Sequence, residues 1–146
     1  MAIAVSTRPP VSFWVIAAVL TLWGVAGCFA AWMQIGMGPA ELAALPEPDR
    51  TIMSALPGWF NAVYAGAVIA GLAGGVALLL RRRIARLLFL ISLVLVIVQF
   101  GYVFAFTDML ALKGAAATVP FPLFILAVAL FEVWYAGRAQ ARGWIG

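Results

Sequence analysis

Only a few residues in this 146-residue sequence could do chemistry, and they stand in oil. Glu132 lies within FILAVALFEVWYAG, Gln99 within LVLVIVQFGYVF, and Ser92 seven positions before Gln99. A carboxyl group in such a run is expensive, so it marks a buried ion pair, a proton or cation site, or a side chain reaching for headgroups. At about 1.5 Å per residue Glu132 lies roughly two turns inside the end of its run, level with an extended Arg86. The expectation is a structural Glu132–Arg86 pair, with a proton or cation site as the alternative. Ser92, Gln99 and Phe106 follow a seven-residue step, with Tyr102 close to the same face. Counting depth sets Gln99 beside Ala26, Gly27 and Ala67. Together with Asn61 and Tyr64 it would either line a small polar cavity or make interhelical hydrogen bonds of about 0.6 kcal/mol each; the second is expected.

Much chemistry is absent. There is no histidine, and Cys28 is the lone cysteine, so no internal disulfide or metal cluster can be assembled. Haem with an axial histidine and Ser-His-Asp catalysis fall with it. No glycine-rich phosphate loop occurs, and the acids Asp108 and Glu132 belong to opposite ends of the predicted elements, so the test for a catalytic constellation fails. The expectation is a non-enzyme without cofactor or metal.

The elements that hold these residues follow from composition: 66% hydrophobic, 10% charged, mean hydropathy +1.13. Soluble domains run near half apolar and a quarter charged. Four runs reach the roughly 20 residues that a hydrocarbon core demands: about 11–32, 59–80, 84–106 and 119–137, in one membrane domain over 1–146. Lipid requires backbone satisfied within each segment and no strand alternation appears, so the predicted fold is an all-α transmembrane four-helix bundle. Pro120 and Pro122 suit the first turn of the last helix. Trp14, Trp32, Trp59, Trp134 and Tyr135 read as interfacial anchors, whereas Trp23, near the midplane, should face the bundle and seek a partner for its N–H.

Arg8, Arg81, Arg82, Arg83, Arg86, Arg138 and Arg142, seven of the nine basic residues, fall on one side. Arg50 and Lys113 share the other with Glu41, Glu47, Asp49 and Asp108. The positive-inside rule then places both termini and the arginine turn in the cytoplasm of a bacterial inner membrane. Arg81, Arg82 and Arg83 would anchor topology and touch lipid headgroups. The pI near 10.0 is met by these edge arginines rather than a nucleic-acid footprint. Val25-Ala26-Gly27-Cys28 looks like a lipoprotein cleavage site, but the apolar run continues through Phe29 to Trp32, favouring a retained span. The outer segment QIGMGPAELAALPEPDRTIMSALPG should form short amphipathic helices, opened by Pro39 and interrupted by Pro46. In the second span Ala67, Gly71, Gly74 and Gly75 form a small-residue seam that lets helices approach closely, within the chain or in a homodimer.

GCFAAWMQIGMGPAELAALP, LLLRRR and VIVQFGYVF together resemble a family of small four-helix bacterial inner-membrane proteins, over half to two thirds of the chain. Some members carry a loose sugar-transporter label, and the resemblance implies no particular activity or residue. Two functions compete. One is a non-catalytic bundle that self-associates or serves as accessory subunit of a membrane complex, its partners being lipid and other membrane helices; this is the leading expectation. The other is a small solute transporter or channel, a homo-oligomer with Glu132 and Gln99 on its pathway.

Overall fold

In the computed structural model, which describes residues 8–146, every regular element is a helix. They are α1 (Val11–Ile35), α2 (Pro39–Ala43), α3 (Glu47–Ala55), α4 (Phe60–Leu79), α5 (Ile84–Phe106), α6 (Met109–Lys113), α7 (Ala115–Thr118) and α8 (Pro120–Ala141). Four of them, α1, α4, α5 and the α7–α8 stretch, are long and apolar enough to cross a membrane. Their outward faces carry Val15, Val19, Leu22 and Phe29 on α1 and Val94 and Ile97 on α5, each more than half exposed. Such a surface suits lipid, where oil outside costs nothing, and identifies a multi-pass membrane protein.

Proline sets several boundaries. Pro10 precedes α1, Pro39 opens α2, Pro48 sits in the first turn of α3, and Pro120 and Pro122 occupy the first turn of α8. The Gly38 N–H donates to the Glu41 carboxylate (2.7 Å), closing the start of α2. α1 runs unbroken through Cys28. α8 extends four residues past the expected end at Gly137 and carries Arg138 in its last turn.

The long helices pack in chain order, α1 on α4, α4 on α5, α5 on α8. α4 can serve both neighbours because its small residues form two seams. A Cβ added at Gly74 would lie 2.6 Å from the Phe89 ring of α5, and one at Gly75 2.9 Å from the Thr21 Cα of α1. Helices without a hydrophobic drive associate by such close approach. The small-residue seam is thus used inside the chain.

One end of the bundle is sealed. Phe13, Leu78, Phe89 and Ile145 are 2% exposed or less, and with Ala85, Tyr135, Ala136 and Ala139 they form a continuous core. Tyr135, expected at an interface, is buried here with its ring stacked on Phe13 at 6.3 Å. The arginine turn closes the same end. Arg81 adopts a left-handed conformation (φ 57°), and the Arg82 N–H reaches back to the Ala77 carbonyl (2.8 Å), the hydrogen bond of a helix stop usually made with glycine. The strain is held in place by the C-terminal segment. Arg81 Nε donates to the Trp144 carbonyl (2.7 Å), and the Gly146 N–H donates to the Arg81 carbonyl (3.0 Å). Arg81, expected to face headgroups, therefore clamps the chain's last residues, while Arg82 and Arg83 are exposed.

Candidate functional site

α1 and α8, the outer members of the row, are bridged by rings. Phe13 meets Tyr135 at the sealed end, and Trp23 lies edge-on to Phe124 at 5.5 Å higher up. Between these contacts and the α4–α5 wall lies a cavity of about 430 Å³. Its floor is Glu132 and Ala129 of α8, with Gly71 of α4 and Ser92 of α5. Its middle is walled by Trp23, Val96, Gln99, Phe100, Phe121 and Ile125. At the end away from the arginine turn it is roofed by Ile52, Met53 and Leu56 of α3, Met109 and Lys113 of α6, and Thr118.

The polar groups on this wall divide into two sets. Those in the first are satisfied by the protein. The Ser92 hydroxyl donates to the Ala67 carbonyl (2.7 Å), an interhelical bond, whereas the one expected of Gln99 does not form among the described residues, and Thr118 donates to the Gly114 carbonyl (2.8 Å). Gln34, at the rim, donates to the Asn61 side chain (3.3 Å). Lys113 pairs with Asp49 at 2.5 Å.

The second set is Glu132 and Gln99. They are 3% and 7% exposed, yet neither makes a hydrogen bond or ion pair with any described residue. None of their polar atoms is both sealed off and unbonded, so the atoms look into the cavity. Buried polar side chains are nearly always paired, which makes two open ones on a single cavity the distinguishing feature of the site.

The expected Glu132–Arg86 pair does not form. The ion pairs among the described residues are Arg50–Glu47 and Lys113–Asp49. Arg86 is exposed and packs on Gly137, where an added Cβ would meet its Nε at 3.3 Å. Gly137 is five positions after Glu132, about 140° around α8 at 3.6 residues per turn. The Arg86 head therefore lies about 7.5 Å further along α8 than Glu132 as well as on another side of the helix, so depth counting misjudged both.

Tyr64 joins the cavity wall, but Asn61 is exposed at the rim. The seven-residue face is also split. Tyr102 stacks on Phe106 (5.2 Å) and meets Trp59 (5.0 Å) away from the cavity, and Phe106 is 75% exposed. Trp23 faces inward as expected, with its indole N–H unpaired among the described residues. Sequence reasoning missed the roof from α6 and Thr118; TDMLALKGAAAT carries no periodic signal that would have found it. No group of three metal-ligating side chains occurs among the described residues. Compared with protein-family models, curated proteins and solved structures, the chain matches none.

Proposed function

We propose that this chain is a multi-pass protein of a bacterial inner membrane that holds a small, mainly apolar solute in the cavity between α1, α4, α5 and α8 and passes it across or out of the bilayer. The observation that carries this reading is the pair of buried, unpartnered side chains, Glu132 and Gln99, facing one cavity. A lone buried carboxylate is costly and is retained where something else meets it. A volume of about 430 Å³ lies within the range of small-molecule sites, and few polar groups on a mostly apolar wall is their usual make-up. Because the arginine end is sealed, the cavity is a dead-end site that a conformational change would have to release, rather than an open pore.

The positive-inside rule puts the sealed end in the cytoplasm and the roof of α3 and α6 on the outer face. The resemblance to small four-helix inner-membrane proteins agrees with that arrangement. An accessory or self-associating role is the second reading. It is favoured by the flank between α1 and α8, which are not neighbours in the packing row and meet through the Phe13–Tyr135 and Trp23–Phe124 rings, where a partner's helix would fit. Against it, the glycine face that suggested a dimer is occupied within the chain.

The test is thiol accessibility in membranes. In a Cys28→Ala background, Ala129→Cys on the cavity floor should react with a small membrane-impermeant methanethiosulfonate. Leu123→Cys, on a lipid-facing position 57% exposed, should not. Equal unreactivity at the two positions would refute a solute-accessible cavity.

A further inference from the structure

The cavity wall also specifies a charge. We propose that its occupant is a lipophilic organic monocation, its positive centre at Glu132 and its apolar body between the aromatic walls above. This deepens the solute-site reading and rests on it.

The ionisable groups on the lining are Glu132, Tyr64 and Lys113. Lys113 lies at the opposite, roofed end and is held by Asp49. Arg86 is turned to Gly137. Arg138 lies over the Trp134 ring (5.6 Å) and Arg142 over Trp144 (5.7 Å), so both are directed to rings at the arginine end. No described cation pairs with Glu132, which leaves that part to an occupant.

A metal ion fits the site poorly. Hard cations take six or more oxygen ligands, whereas the floor offers one carboxylate, and the Ser92 hydroxyl is bonded to Ala67. An organic cation fits better. Its charge is diffuse, so it needs fewer polar ligands, and Trp23, Phe100 and Phe121, above the floor, give it rings that bury its carbon body. Ser92 is level with the cavity floor and Gln99 lies two turns beyond it, about 10 Å along α5. A molecule with a cationic end and a hydrogen-bonding group at that separation would satisfy both open side chains.

The experiment compares tetraphenylphosphonium with tetraphenylborate, ions alike in shape and opposite in charge. Each is titrated calorimetrically into the full chain in lipid nanodiscs, with empty nanodiscs as blank, in mildly alkaline buffer. The phosphonium should bind saturably, one per chain, and the borate should not. Glu132→Gln, nearly the same shape without the charge, should weaken phosphonium binding by about tenfold or more, roughly 1.4 kcal/mol. Ile125→Trp, which fills the middle of the cavity and leaves the carboxyl in place, should also remove binding, and it decides the matter if Glu132→Gln does not fold. Equal binding of the borate, undiminished binding by folded Glu132→Gln or by Ile125→Trp, or no saturable phosphonium binding overturns the assignment. If Ala129→Cys is reactive while phosphonium does not bind, the charge assignment alone is wrong; if both fail, the cavity reading falls too.

Discussion

A Cβ on Gly24 would stand 2.7 Å from the Cα of Leu72 and 3.0 Å from its backbone nitrogen. Backbone cannot swing aside as a side-chain tip can, so Gly24→Ala must push α1 away from α4 along their shared seam. The cost expected of overpacking is about 1–3 kcal/mol. Gly101, on α5, has nothing within 4 Å of an added Cβ. There the helix preference for alanine acts alone, and Gly101→Ala should be neutral or stabilising by up to about 1 kcal/mol. Unfolding both variants beside the wild type in one detergent checks the contrast; equal destabilisation would mean the α1–α4 contact is looser than described. Glu132 illustrates the same dependence on position. Its unusual, buried position was legible, since an acid in an apolar run is conspicuous at any register. The expected Arg86 pairing failed because contact depends on helix azimuth and on where a long side chain ends, and Arg86 meets α8 at Gly137, further along and on another side.

At the scale of elements, the four long helices could be read because lipid imposes a length and a composition on anything that crosses it. α2 and α3 were readable from Pro39, Pro46 and Pro48. α6 and α7 were not, being four or five residues long and held by contacts instead of by their own pattern. These short helices matter because they roof the cavity, and the Asp49–Lys113 bridge ties α3 to α6 there. With side chains about a third exposed, the bridge adds at most about 1 kcal/mol to stability. Its effect should be on access. Lys113→Gln is expected to leave unfolding within about 1 kcal/mol of the parent, yet to speed labelling of Ala129→Cys several-fold. An unchanged labelling rate would show that the roof is not what limits approach to Glu132.

For the whole molecule, the two ends differ in both charge and packing, and the differences coincide. The end with Arg81, Arg82, Arg83, Arg86, Arg138 and Arg142 is also the end closed by Phe13, Leu78, Phe89 and Ile145. The cavity lies toward the other end, beneath helices carrying Glu41, Glu47 and Asp49. Charge is what membrane insertion reads, and packing is what a solute meets, so topology decides from which side Glu132 is approached. In the proposed topology, where the short arginine-rich connections stay in the cytoplasm, the cavity faces outward and the arginine end is the barrier to the cell interior. A fluorescent protein fused after Gly146 should therefore fluoresce, while alkaline phosphatase at that position stays inactive. The phosphatase inserted after Gly58, between α3 and α4, should be active. The opposite pattern would present the same cavity to the cytoplasm, and an occupant would then load from inside the cell, reversing the direction of any transport through it.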